Sequence, residues 1–178
     1  MRAVAVCKSN FGTVRLLQGR YAEALAAYSE ARERFETLSE PDSVATAWHQ
    51  IGMVHRKASQ FDQAERAYRQ ALAIWVQHKL RSGETSSLLE LGNLYDAMDR
   101  LKEAMTFYGQ AADICVELQD RVHEGLVRNN LANILIKLYR YNDARCELHR
   151  AIKCKQPYGH AAEPQIKNGG TKLICVIQ

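Results

Sequence analysis

Asn93 and Asn133 stand forty residues apart in this 178-residue chain, and Asn129 and Asn130 lie just before the second of them. A primary amide carries two hydrogen-bond donors and an acceptor oxygen. Amides held in a row can therefore pair with both the carbonyl and the N–H of an extended peptide, whatever its side chains are. The other reactive side chains form no such series. His49, His55, His78, His123, His149 and His160 fall at different phases and do not converge with a cysteine or carboxylate. The five cysteines are odd in number and contain no C-x-x-C pair, which reads as reduced thiols and gives a metal site no support. Glycine-rich phosphate loops, H-E-x-x-H and G-x-S-x-G are absent, so neither catalysis nor a cofactor is expected. One short motif remains. The last four residues, Cys175-Val-Ile-Gln178, match the C-a-a-X pattern with an ending of the farnesyl type, which makes Cys175 a candidate for lipidation.

The elements that must carry these residues are helices. With 47% hydrophobic and 25% charged residues the chain lies clear of the disordered regime, and three prolines and ten glycines are too few for a turn-rich β fold. Basic and acidic residues are interleaved to a net charge of +4, leaving no footprint for a nucleic acid. No segment reaches the roughly 18 apolar residues of a membrane span, and the amino terminus lacks a signal-peptide core, so a cytoplasmic chain is expected.

Shifted by forty residues, the sequence aligns Gly12, Gly52, Gly92 and Ala132, then Tyr28, Tyr68, Tyr108 and Leu148. Two alanine series align as well, Ala24, Ala64, Ala104, Ala144 and Ala31, Ala71, Ala111, Ala151. Alanine is 23 of 178 residues, so filling eight set positions by chance has a probability on the order of one in ten million. Trp48, Ile51, Gly52 and His55 recur at i, i+3, i+4 and i+7 on one helix, while Ala64, Tyr68 and Ala71 mark a second after a short turn. Each copy is thus a helical hairpin whose small residues let two backbones approach while tyrosine fills the adjoining space. Asp42, Ser82 and Asp120 are expected to cap first helices, His55 to pack in the core, and Trp48 and Trp75 to pack in the core or between repeats. One hairpin cannot bury its own apolar face, so copies must stack. The expected fold is all-α, an α-α superhelix of four antiparallel hairpins over residues 1–164 (about 5–44, 45–84, 85–124 and 125–164), with 165–178 a non-repeat tail.

The bulky residue, the apolar residue plus glycine, and the Ala, Tyr and Ala that follow resemble the tetratricopeptide repeat. The segments Leu88-Leu-Glu-Leu-Gly-Asn-Leu-Tyr95 and Asn129-Asn-Leu-Ala-Asn-Ile-Leu135 resemble its longer variety, found in kinesin light chains and bacterial signalling arms. The first copy departs most, with Lys8 and Arg15 at positions usually apolar. The resemblance implies that first helices line a concave groove for a peptide or protein partner. It places there His49, Gln50, Met53, Arg56 and Lys57, then Glu90, Asn93 and Asp96, then Asn129, Asn130, Asn133 and Lys137. Arg56 and Lys57 opposite Glu90 and Asp96 give the groove mixed sign. The positions with which chaperone adaptors of this family hold a carboxylate carry Ser9, Thr13, Gln50, Ser86 and Glu90, an unsuitable set.

Three functions follow. The leading expectation is a non-catalytic interaction scaffold. The alternative is a sensor or oligomerisation arm of a larger bacterial signalling NTPase or protease system, self-associating through its terminal repeats. The third is a prenylated, membrane-tethered scaffold that depends on Cys175, although one lipid anchors only marginally.

Overall fold

The structure, a computed structural model, describes residues 1–155. They form α1 (Arg2–Leu17), α2 (Tyr21–Thr37), α3 (Pro41–Lys57), α4 (Phe61–Gln77), α5 (Arg81–Ala97), α6 (Leu101–Glu117), α7 (Arg121–Lys137) and α8 (Tyr141–Lys155). From α2 to α7 every helix has 17 residues, and every connection has three. Two helices and two connections therefore fill the forty-residue period.

The connections are alike because each helix ends in the same backbone device. The middle residue of every link is left-handed: Gly19 at φ 72°, then Ser39, Ser59, Lys79, Asp99, Gln119 and Tyr139 at 54–59°. Its N–H donates to the carbonyl three residues back, and the next N–H donates five residues back, as in Arg20 to Arg15 at 2.9 Å and Leu80 to Trp75 at 2.8 Å. This is the Schellman closure, which satisfies helix-end carbonyls and reverses the chain in three residues. Only one of the seven links uses glycine, so the other six accept left-handed strain in exchange for a fixed reversal.

Helix starts differ from the expected caps. Asp120 does cap α7, accepting the His123 N–H at 3.1 Å. Ser82 and Asp42 do not cap: the residues preceding α5 and α3 are Leu80 and Glu40, and neither makes a side-chain cap bond. Pro41 instead occupies the first turn of α3, where its missing N–H costs nothing. The Asp42 carboxylate accepts the Trp75 indole N–H at 2.9 Å.

Consecutive helices pack on one another, and α3 also touches α5. The glycine and tyrosine series meet inside each hairpin. A Cβ built at Gly12, Gly52 or Gly92 would stand 2.6–2.9 Å from the ring of Tyr28, Tyr68 or Tyr108. In the last hairpin, where alanine replaces glycine, leucine replaces tyrosine: Ala132 is buried with Leu148 packed beside its cluster. All eight alanines of the two series are at most 4% exposed. Such positions keep α1/α2, α3/α4 and α5/α6 close enough for the tyrosines to be buried, each contributing roughly 2–3 kcal/mol. Trp75 is buried as well, its indole laid over Gly83 of α5.

A candidate partner-binding groove

The odd-numbered helices α1, α3, α5 and α7 share one face, and the tyrosines that fill the hairpins reach it with their hydroxyls. Tyr28 pairs with Thr13 at 2.9 Å and lies 3.5 Å from Gln50 Oε1. Tyr68 donates to Glu90 at 3.5 Å, and Tyr108 donates to Asn93 Oδ1 at 2.7 Å. Burial raises the pKa of all three phenols, so each stays protonated and able to donate. The ring of each tyrosine belongs to the core while its oxygen belongs to this face. The sequence reading assigned only the ring, although a polar residue directly after glycine at Thr13 and Asn93 marked the contact.

The expected groove residues fall into three groups. Arg56 and Lys137 are ion-paired across helices, to Glu90 at 3.2 Å and Asp96 at 2.5 Å respectively. Burial, the largest single influence, would lower the Arg56 pKa, but Glu90 together with Tyr68 and Tyr108 more than offsets it. Asn93, Asn129, Asn130 and Asn133 form the amide group. The oxygen of Asn93 accepts from Tyr108 and, at 3.5 Å, from Asn130, leaving the Asn93 amide hydrogens for another acceptor. Asn129 and Asn133 are exposed. Asn133 has leucine at the tyrosine position of its hairpin, so no phenol fixes it as Tyr108 fixes Asn93. His49, Gln50 and Met53 make up the third group and are half-buried, whereas Lys57 is exposed.

The two central histidines differ from expectation. His55 is half-buried and bonds Gln60 through Nδ1 at 2.7 Å instead of packing in the core. His49 is the enclosed one, with its ring centroid 5.5 Å from Tyr68 and 5.8 Å from Trp75 and its Nδ1 buried without a partner. Burial lowers the His49 pKa, with Glu90 opposing and Arg56 assisting. The unfolded state therefore takes up a proton below about pH 6.5 that the native state refuses, and stability falls as pH drops from there towards the lower native pKa. Thermal melts should show this loss between neutral and mildly acidic pH, and His49→Gln should flatten it. An unchanged slope in that variant would place the acid sensitivity elsewhere.

Two apolar residues missed by the sequence reading extend this face. Val122 is 81% exposed and Leu126 is 47% exposed, and with Asn129, Asn133 and Ile136 they follow i, i+4, i+7, i+11 and i+14 along α7. The same helical phase was the available signal. Elsewhere Cys115 is buried, which pushes its thiol up to about 11. Among the described residues no cluster of three His, Cys, Asp or Glu can hold a metal, and no helix is long and apolar enough to cross a membrane. Cys175 lies outside the described residues.

Comparison with known proteins agrees with this geometry. One family model described as tetratricopeptide repeat matches residues 4–75, and a second with the same description matches residues 85–118, together more than half of the chain. The chain belongs to the tetratricopeptide-repeat family. Among solved structures it is similar to BtubC (BKLC) from P. vanneervenii, with 18% identity and a TM-score of 0.76 over 93% of this chain and 71% of that one. It is also similar to the apo form of RapI, with 14% identity and a TM-score of 0.79 over 86% of this chain and 43% of that one. At these identities the likeness is one of fold, an all-α tetratricopeptide superhelix. No curated protein sequence matches.

Proposed function

We propose that the chain is a non-catalytic interaction scaffold that holds an extended segment of a partner protein against the face of α3, α5 and α7. The observation that carries this reading is the amide series. Asn93 is oriented by Tyr108 with its N–H group left to donate, and exposed Asn129 and Asn133 follow on the next odd helix. The charges of the same face pair with each other, Arg56 with Glu90 and Lys137 with Asp96, which favours recognition of a peptide backbone over a charged side chain. Val122, Leu126 and Ile136 flank the amides and offer apolar contacts to the segment's side chains.

Linear peptides selected from a random library against the wild-type chain provide the test. Asn93→Ala with Asn133→Ala should weaken their binding roughly tenfold or more, since each lost hydrogen bond is worth about 0.5–1.5 kcal/mol, while far-UV circular dichroism stays unchanged. Equal binding by the double variant would end the amide-ladder reading. The second reading, an arm of a larger bacterial signalling protein, predicts an NTPase or protease encoded alongside.

A further inference from the structure

The forty-residue register allows α1 to be compared with the odd helices that have a neighbour before them. Val4, Cys7, Phe11 and Val14 occupy the positions of Val44, Ala47, Ile51 and Val54 in α3. Those α3 residues are between 0 and 8% exposed, with Val44 in a cluster with Phe35 and Ile51 and Val54 in one with Tyr28, both from α2. In α1, Val4, Phe11 and Val14 are 45–49% exposed and Cys7 is exposed too. The first hairpin thus carries the side chains of a joint that no helix among the described residues covers. Charges beside the stripe are neutralised at home, Lys8 by Glu30 at 2.8 Å and Arg15 by Glu23 at 3.2 Å.

The complementary half of a joint stands at the other end. α8 is the even helix that no odd helix follows among the described residues. Its Tyr141, Leu148 and Ile152 occupy the positions of Tyr21, Tyr28 and Arg32, with which α2 meets α3. Tyr21 and Tyr28 cluster with Ile51 and Val54, and the Arg32 guanidinium lies 4.5 Å over the Trp48 ring. On α8, Tyr141 is 60% exposed and Ile152 is 56% exposed.

We propose that α8 of one copy packs on α1 of a second copy as α2 packs on α3, extending the superhelix head to tail. In this register Tyr141 and Leu148 meet Phe11 and Val14, and Ile152 covers the stem of Lys8. The occupant is a second copy because the same joint, in the same register, already recurs three times within the chain, at α2/α3, α4/α5 and α6/α7. The contact joins two different surfaces and does not close on itself, so it generates open stacks. A contact built largely from one helix pair lies at the low end of interface sizes, so the stacks form at high protein concentration and come apart on dilution. None of the amide-bearing groove residues takes part, and the inference stands apart from the peptide reading.

Phe11→Glu and Ile152→Glu in the full chain, each at a site about half exposed, block the head and the tail separately. By sedimentation velocity the wild type should grow beyond dimers as concentration rises, and each variant alone should remain monomeric. An equimolar mixture of the two should form dimers and nothing larger, because each retains the end that the other has lost. Cys7 reports the joint without any substitution, since its labelling by a thiol reagent should slow in proportion to the wild type assembled. A wild type that stays monomeric overturns the proposal. So does an Ile152→Glu chain that associates like the wild type, which would mean symmetric pairing of α1 with α1, or a mixture that fails to dimerise.

Discussion

Gly52→Ala should destabilise the chain by about 1–3 kcal/mol, and adding Tyr68→Leu should recover part of that loss. The alanine methyl would stand 2.6 Å from two carbons of a ring that is fully buried between α3 and α4, so the ring must shift or the helices must part. The protein contains the compensated form already, in the Ala132 and Leu148 of its last hairpin. Denaturant melts of the two single variants and the double should show an interaction energy of about 0.5–3 kcal/mol in favour of the double. Effects that merely add would mean that the tyrosine does not set the glycine. Stacked hairpins touch only their neighbours, so faster amide exchange in Gly52→Ala should concentrate in α3 and α4 and leave α7 and α8 protected.

Trp75→Ala should cost more, about 3–5 kcal/mol. The indole belongs to α4, donates to Asp42 of α3 at 2.9 Å, and occupies the space left by the missing side chain of Gly83 in α5. It joins three helices, α3, α4 and α5. Trp75→Phe keeps most of the apolar contact and gives up the hydrogen bond, so it should lie between the wild type and alanine. Chemical denaturation followed by circular dichroism gives both values. A loss of less than about 1 kcal/mol in the alanine variant would show that the cavity closes, with the α4/α5 joint relying on other contacts.

These two cases show why so much of the fold was legible in the sequence. A joint rebuilt every forty residues imposes the same side-chain volume each time, so Gly52 and Gly92, or Ala64 and Ala104, had to coincide. Directions and partners are less constrained by size. The caps at Asp42 and Ser82 were misread because the three-residue links place Glu40 and Leu80 just before the helices, so that Asp42 falls in the first turn of α3, where its carboxylate serves Trp75. The period likewise revealed that Tyr28, Tyr68 and Tyr108 are rings of the same size. It could not show that their oxygens emerge at Thr13, Glu90 and Asn93, since those residues have no common type. His55 lies at the phase of Tyr95 and yet bonds Gln60, while His49 is shielded by rings from the following helix, a contact that no spacing within α3 encodes.

The three-residue links make length in this fold a quantised property. A residue inserted within a helix would turn the rest of that helix by about 100° relative to the part before it, since that is the angle each helical residue turns. In α5 ahead of Gly92, for example, it would carry Gly92 off the Tyr108 ring and Asn93 off the odd-helix face. A block of forty residues, gained or lost whole, preserves all of these at once. Tandem duplication is accordingly the one kind of length change to which the architecture is indifferent.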